Sequence, residues 1–322
     1  MKSYERLFIF GLFVLALTAL LSPWAAAAWA RFTSANPGYE QYSFSKIFDR
    51  VFMVMGVATF FLFRRLLKLG SLKELGLSPR THALRDVLVG AGLALASILA
   101  LTLFMSLTDV FDPFIRRSVA ETLARCGKAL LAAVGAAFVE EVFFRGIVFK
   151  GLRQDIKPAY AYLLASFFFA AIHFVQPSND VALSTIEPGA GLRHVLLSFH
   201  PFFNPETILP GLFGLFLIGI VLCYAYERTG TLYLSMGLHG GWIFGLKSFG
   251  AFGYYTREDL GWMFGSTDPK VVSGVIPWIG IVIVGVLVHW ITRERNIVSP
   301  LGLPGTLENV SQTDVQPSRT GE

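Results

Sequence analysis

The sequence contains few charged residues. Of its 322 residues, 15% are Asp, Glu, Lys or Arg, whereas 54% are hydrophobic. A soluble domain carries about a quarter charged residues, and a soluble chain of this composition would expose large apolar patches to water. The shortage of charge therefore excludes an ordinary soluble protein and favours a chain embedded in a membrane.

Cysteines and basic clusters are also scarce. The two cysteines, Cys126 and Cys223, form neither a disulfide framework nor a zinc-knuckle spacing. The net charge of +5 is modest, and outside the apolar runs no block of Lys and Arg is interleaved with aromatic residues. Such a block is typical of nucleic-acid binding, so we expect membrane lipid as a partner and no nucleic acid.

Long apolar runs dominate the chain. A membrane-spanning helix needs about 20 mostly apolar residues, and the runs predict an all-α fold, a polytopic membrane bundle of about eight transmembrane helices. We place the spans at 7–30, 45–63, 87–107, 128–149, 160–175, 208–226, 231–249 and 275–292.

The first run has two interpretations. Lys2 and Arg6 precede it, and the segment AAAWA before Arg31 resembles the cleavage site of a signal peptide. Its apolar stretch is longer than the core of a usual signal peptide. We therefore expect a membrane anchor.

The distribution of basic residues predicts the orientation. With the N-terminus inside, the inner loops collect more Lys and Arg than the outer ones, and the run RRLLK at 64–68 supports this most. Arg116 and Arg117, in an outer loop, oppose it. The mostly short loops indicate an integral protein of a prokaryotic plasma membrane.

We divide the chain into three segments, with no internal repeat. Residues 1–115 hold the N-terminal transmembrane helices, 116–295 the core of the membrane bundle, and 296–322 a polar tail whose composition predicts disorder. The long connection 176–207 contains LRHVLLSF, which we expect to form a short helix lying on the membrane interface.

The fourth run, FVEEVFFRGIVF at 138–149, contains three ionisable residues. Each costs at least about 2.5–3.5 kcal/mol at the centre of a span, so such residues are rare and usually functional. Glu141 and Arg145 are spaced i, i+4, the favourable order for a helical ion pair, and this pair has a structural or a functional interpretation. Glu140 points about 100° away on the helix and has no partner at that spacing, which favours a general base or acid.

Two histidines also lie in apolar runs. His173 closes SFFFAAIHF, and His239 lies within LSMGLHGGWIF. Either residue alone is more typical of a hydrogen-bonded core. Together with Glu140 they form a set that can activate water, either directly or through a metal ion.

These motifs resemble a known family. Glu140-Glu141-x-x-x-Arg145, then Phe169-x-x-x-His173, then His239 after the entry TGTL at 229–232 is similar to the CPBP family. This family contains the CAAX prenyl proteases and bacteriocin-processing enzymes and is also called Abi. The resemblance covers roughly 125 to 249, and the three motifs occur in register on successive predicted helices.

The resemblance implies an intramembrane endopeptidase that hydrolyses a peptide bond of a membrane-associated peptide or protein. Glu140 would activate water with His173 as its partner, and His239 would stabilise the oxyanion. Glu141 and Arg145 would orient Glu140 and lock the helix. Family members are described both as metal-dependent and as glutamate peptidases. Glu140, His173 and His239 resemble a zinc site of two histidines and one glutamate, although the chain has no HExxH motif.

One position departs from the family. The last motif usually reads HxxxN or HxxxD, but here Ile243 stands four residues after His239. Trp242 offers an indole N–H, although it points elsewhere on the helix. The literal HxxxN of His200 and Asn204 precedes the sixth span in a proline-broken segment, and we interpret it as coincidence.

Other functions and substrates are compatible with the sequence. A proton-coupled transporter would use the same ionisable residues as a relay, but it predicts such residues along several spans and inverted repeats. A non-catalytic member that binds a membrane partner is favoured only by Ile243. The substrate is open between a prenylated tail, a leader or signal-like peptide, and a membrane-anchored regulator.

Overall fold

A computed structural model shows a helical membrane bundle. It describes residues 2–63, 71–79, 81–115, 117–175, 186–257, 259–265 and 271–294. The predicted tail 296–322 and the RRLLK run lie outside the described residues. The α-helices are α1 (Ser3–Ala35), α2 (Phe44–Phe63), α3 (Ala83–Leu107), α4 (Val119–Glu141), α5 (Lys150–Asp155), α6 (Pro158–Ile172), α7 (Ala190–Ser198), α8 (Pro205–Thr229), α9 (Tyr233–Phe249), α10 (Gly261–Phe264) and α11 (Val275–Thr292).

Short elements connect these helices. Two π-helical segments, Lys73–Leu77 and Val142–Phe149, and two 3₁₀ turns, His200–Phe203 and Val271–Ser273, complete the helical structure of the described residues. The sheet content of this part of the chain is one antiparallel pair, β1 (Phe111–Asp112) and β2 (Tyr254–Tyr255). The predicted all-α class is confirmed.

Every predicted span coincides with a helix, but the helices differ in their fitness to cross a bilayer. Among the described residues, four helices are long and apolar enough to span it by length and composition, and α6 is a shorter apolar helix. The predicted number of eight spans is therefore not confirmed. The four are Phe8–Ala35, Ala83–Leu107, Pro205–Thr229 and Val275–Thr292.

Helix α4 begins at a capping motif and continues into a π-helical segment. Ser118 caps its N-terminus by accepting from the Glu121 N–H, and the Glu121 carboxylate accepts from the Ser118 N–H. At the other end the helix continues without a break into the π-helical segment Val142–Phe149, whose residues from Phe144 onward are buried. A π-helical turn is rare and often marks a functional site. Here it carries Arg145 into the interior.

The segment before α3 packs onto this π-helical turn. Gly76 has φ +104°, a left-handed conformation that favours glycine, and its carbonyl accepts a hydrogen bond from the Leu232 N–H at 3.0 Å. A Cβ added at Gly146 would lie 3.0 Å from the Leu75 carbonyl oxygen. The two backbones therefore touch, and this contact fixes the end of the turn that follows Arg145.

Helices α3 and α9 approach through glycines. A Cβ added at Gly237 would lie 2.2 Å from the Val87 carbonyl oxygen, and one added at Gly241 would lie 2.7 Å from Ala94 Cβ. Gly90 on α3 is in similarly close contact with the α9 backbone. The four-residue spacing of Gly237 and Gly241 thus lets the two helices pack at backbone distance, and this contact sets the position of α9, which carries His239.

We expect Gly237→Ala to destabilise the protein by about 1–3 kcal/mol, because the new methyl group overlaps a carbonyl oxygen that cannot move without displacing α3. Thermal unfolding in detergent measures the loss. Gly240→Ala is the matched control, since its methyl group would meet Ala137 Cβ at an ordinary 3.5 Å. Equal stabilities of the two variants would contradict this packing.

Helices α1, α2 and α7 pack together. Gly191 of α7 lies against the Ala19 carbonyl of α1, and the buried His194 ring lies 4.4 Å from the Phe48 ring of α2. The helix predicted in LRHVLLSF therefore exists, but one of its faces is buried in the protein. Residues 176–185 of the predicted long connection lie outside the described part of the chain.

The main core lies between α3, the π-helical segment Val142–Phe149, α6, α8, α9 and α11. Its buried members include Phe144, Phe169, Leu222 and Leu238. Phe144 and Phe169 meet edge to face, with ring centroids 5.1 Å apart. This core surrounds the ionisable residues of α4 and its π-helical turn.

Candidate active site

A buried ion pair forms the base of the site. Arg145 Nη1 donates to Glu141 Oε1 at 2.8 Å, and both side chains are fully buried. The same Glu141 oxygen accepts from His239 Nδ1, also at 2.8 Å. A carboxylate can only accept in these contacts, so the proton of His239 lies on Nδ1. Glu141 therefore joins the π-helical turn to α9.

Glu140 faces both histidines. Its Oε2 atom lies 3.7 Å from His173 Nε2 and 3.7 Å from His239 Nε2. This oxygen is buried and has no hydrogen-bond partner among the described residues. Distances of this size are too long for a direct hydrogen bond, and across such a gap a water can connect the polar groups.

The two imidazoles have different partners at Nδ1. His173 Nδ1 donates to the Phe169 carbonyl oxygen at 2.6 Å, whereas His239 Nδ1 donates to a carboxylate. The carbonyl belongs to the last turn of α6, where such groups lack a partner within the helix. A carbonyl is neutral and a carboxylate is anionic. The site therefore holds two histidines that present the same atom, Nε2, from unlike electrostatic environments.

Phe169 supports three of these residues through its ring. The guanidinium carbon of Arg145 lies 4.3 Å from the ring centroid, within cation–π distance. The rings of His173 and His239 meet Phe169 edge to face, at 4.8 and 5.5 Å. From the sequence, Phe169 was named only as the first residue of the motif Phe169-x-x-x-His173. The i, i+4 spacing of these two residues indicates that their side chains can meet on one face of the helix.

The site is open on one side. The side chains of Glu140 and His173 are 29% and 31% exposed, whereas Glu141 and Arg145 are fully buried and His239 is 6% exposed. The inner layer is thus sealed by protein, and Glu140 and His173 form the accessible edge. Glu140 is therefore accessible from one side of the site, and the ion pair lies behind it.

The departure at Ile243 is not compensated by Trp242. The Trp242 indole N–H donates to Ser97 Oγ of α3 at 3.1 Å, so it binds a neighbouring helix. His200 and Asn204 lie in the connection between α7 and α8, where both are exposed. The structure brings together all five predicted residues, Glu140, Glu141, Arg145, His173 and His239. It does not bring the Trp242 indole or the Asn204 amide to the place of the missing amide.

The predicted metal set fits this geometry only in part. The hydrogen bonds at Nδ1 of both histidines are of the kind that orients a metal ligand. However, the described residues contain no group of three or more His, Cys, Asp or Glu arranged to hold a metal ion. The zinc set of Glu140, His173 and His239 therefore stays a prediction.

Comparison with known proteins identifies one family. Residues 123–245 match the family model described as "Type II CAAX prenyl endopeptidase Rce1-like". The matched part begins in α4 and ends in α9, so it contains all five residues of the site. No curated protein and no solved structure matches the chain.

Proposed function

We propose that this chain, whose residues 123–245 form a domain of the type II CAAX prenyl endopeptidase family, is an integral membrane endopeptidase. The family is one of proteases, which makes hydrolysis the reaction class. The observation that carries the proposal is the buried Glu140 oxygen facing two Nε2 atoms at 3.7 Å each. A water held there meets a carboxylate and two imidazoles at once.

In the proposed reaction Glu140 and His173 hold the attacking water. His173 has its proton on Nδ1, because that atom donates to a carbonyl, so a neutral ring offers the Nε2 lone pair as an acceptor. Glu140 Oε2 is the second acceptor. A water that donates both of its protons keeps a lone pair free for attack on the scissile carbonyl carbon, and Glu140 takes the proton as general base.

His239 is the proposed donor to the oxyanion. Its Nδ1 proton is held by Glu141, and this carboxylate stabilises a positive charge on the ring when Nε2 also carries a proton. A protonated Nε2 can then donate to the negative oxygen of the tetrahedral intermediate, the task that contributes most to acyl-transfer catalysis. Arg145 in turn stabilises the Glu141 carboxylate in the apolar interior.

The atoms of the reaction balance. The water oxygen bonds to the carbonyl carbon, and its proton passes to Glu140. Collapse of the intermediate restores the carbonyl and breaks the C–N bond, while the proton on Glu140 passes to the departing amine. The second proton of the water stays on the new carboxylic acid, which loses it to the released amine. One water is consumed, one carboxylate and one ammonium group are formed, and the site returns to its first state.

We propose roles for Glu141 and Arg145 that differ from those implied by the resemblance. We expected both residues to orient Glu140, but the Glu141 oxygen that binds Arg145 also binds His239. In the proposed mechanism these two residues therefore position His239. The orientation of Glu140 follows from the helix itself, since Glu140 and Glu141 point to different sides of α4.

We further propose a membrane-associated substrate with an apolar anchor next to the cleaved bond. The candidates are a prenylated C-terminal tail, as in the name of the family, and an unprenylated leader-type peptide. Glu140 and His173 form the accessible edge of a site surrounded by apolar helices, which favours a peptide that enters from the membrane. A prokaryotic plasma membrane remains the proposed location.

The direct test of activity uses purified protein in detergent and a library of quenched peptides, half of them farnesylated. We expect internal cleavage by the wild type, with the new termini identified by mass spectrometry, and its loss in His173→Ala. A zinc chelator is added in a parallel reaction. Unchanged cleavage with chelator supports the direct mechanism, whereas loss that is restored by zinc makes the metal set the correct one.

Ile243 favours one second candidate function, that of a non-catalytic family member that binds a membrane partner. The position is one helical turn beyond His239, where the family usually has an amide or acid. A silent wild type together with an active Ile243→Asn variant would identify a chain that has lost catalysis. Cleavage by the wild type would show that His239 alone suffices as the oxyanion donor.

Trp242→Phe is expected to keep its activity within about threefold, because the indole donates to Ser97 and not to the reacting atoms. Loss of this hydrogen bond costs about 1 kcal/mol of stability. Initial rates and thermal unfolding of the same preparation measure both effects. His239→Gln is the comparison that must lose activity, and a strong loss in Trp242→Phe would make the indole a catalytic donor.

A further inference from the structure

Helices α8 and α11 form a groove on the outer surface of the bundle, away from the active site. The two helices run in parallel, since Phe213 contacts Trp278 near their beginnings and Tyr224 contacts His289 near their ends. A Cβ added at Gly285 would lie 3.2 Å from Val221, so the helices nearly touch at the floor. The groove has a volume of about 300 Å³.

The lining of the groove is apolar except at one end. Leu217, Val221, Ile281 and Val286 contribute to its walls, and both helices are long and apolar enough to span a membrane. The polar end is marked by Tyr224 and His289, whose hydroxyl and Nδ1 atoms lie 2.6 Å apart. Since Nδ1 is used in this contact, Nε2 is the ring atom that a ligand can meet.

Basic residues follow directly beyond the polar end. Arg228, one turn after Tyr224, donates to the Thr292 carbonyl oxygen at 2.7 Å, and the exposed Arg293, which pairs loosely with Glu294 at 3.5 Å, follows α11. The predicted orientation places this end at the cytoplasmic surface. The groove therefore leads from the hydrocarbon region to two arginines at the membrane interface, one of them in an exposed surface ion pair that a phosphate can replace.

We propose that the groove binds one acyl chain of an anionic phospholipid, with its phosphate held by His289, Arg228 and Arg293. From Leu217 to Tyr224 it extends about 10 Å along the helix axis, enough for part of a fatty acyl chain. Only an apolar group fills such walls in the hydrocarbon region, and basic residues at the end of an intramembrane groove select an anionic headgroup. The site is independent of the proposed peptidase activity.

The lipid joins α11 to the core that supports the active site. Val221, in the groove floor, belongs to the same buried cluster as Phe144 and Phe169. A chain seated on Val221 and Gly285 holds α11 against α8, and α8 packs on α6, the helix that ends at His173. We therefore expect the bound lipid to raise the thermal stability of the full chain.

Native mass spectrometry of the full chain tests the proposal, with phosphatidylglycerol and phosphatidylcholine of equal chain length as probes. We expect phosphatidylglycerol to bind at least tenfold more tightly. Val286→Trp fills the groove from an exposed position and should weaken binding of both lipids tenfold. Ile283→Trp, exposed on the same helix but outside the lining, is the matched control and should bind as the wild type does.

A second pair of variants isolates the headgroup. His289→Leu combined with Arg293→Gln should remove the preference for phosphatidylglycerol and leave phosphatidylcholine binding unchanged. Arg257→Gln, an exposed arginine outside the groove, is its control. Equal binding of the two lipids by the wild type, equal losses in Val286→Trp and Ile283→Trp, or displacement of phosphatidylglycerol by inorganic phosphate alone would each overturn the proposal.

Discussion

Glu140→Gln is expected to lower kcat by about 10²- to 10⁴-fold while the protein remains folded, because the amide has nearly the same shape but cannot take a proton from water. The Glu140 oxygen that faces the two histidines has no protein hydrogen-bond partner among the described residues, so the change breaks no internal contact. Single-turnover cleavage of a quenched peptide measures the rate, and thermal unfolding measures the fold.

The control for Glu140 is a carboxylate of the same type in an exposed place. Glu206, at the start of α8, is exposed, and Glu206→Gln should leave the rate unchanged. KM should change little in Glu140→Gln, since the residue acts on the water and contributes little to peptide binding. A Glu140→Gln variant that retains wild-type kcat would show that another group is the base.

Glu141→Gln is expected to destabilise the protein by about 3–5 kcal/mol, because it leaves the buried Arg145 charge without its counterion. Both side chains are fully buried, and their contact is 2.8 Å. Glu40→Gln provides the comparison. Glu40 pairs with Lys46 at 3.5 Å in an exposed position, and such surface pairs contribute about 0–1 kcal/mol.

A double variant separates the structural role of Glu141 from its role in catalysis. Glu141→Gln with Arg145→Met removes both charges, so part of the lost stability should return. Activity should not return with it, because His239 still lacks the carboxylate that stabilises its charged form. If the double variant recovered stability and activity together, Glu141 would be a structural residue alone.

The sequence allowed the positions of the spans to be predicted, but not all of their ends. Hydropathy placed the fourth span at 128–149, whereas α4 begins at Val119. The first turns of α4 are polar, so a search for apolar segments does not detect them. The signal for the true start was present in Ser118 and Glu121, which form a capping box. Hydropathy also predicted eight spans, and four helices of the described residues meet the length and composition of a span, so the number eight stays unconfirmed.

Within the site, local spacing indicates contacts between neighbours on one helix and cannot predict contacts between residues far apart in the chain. The i, i+4 spacing of Glu141 and Arg145 indicates an ion pair, and the structure contains it. The contact of Glu141 with His239 joins residues far apart in the chain, so it depends on how α4 packs against α9. From the sequence, the Trp242 indole N–H was a candidate donor to the oxyanion. In the fold it donates to Ser97 of α3, and this contact too depends on how distant helices pack.

The most direct measurement for the proposed mechanism is a structure of Glu140→Gln with an uncleaved substrate peptide bound. The account predicts the scissile carbonyl oxygen about 2.7–3.1 Å from His239 Nε2. It also predicts the carbonyl carbon about 3–3.5 Å from a water held between residue 140 and His173. A peptide that lies elsewhere on the bundle, with its carbonyl directed away from His239, would contradict it.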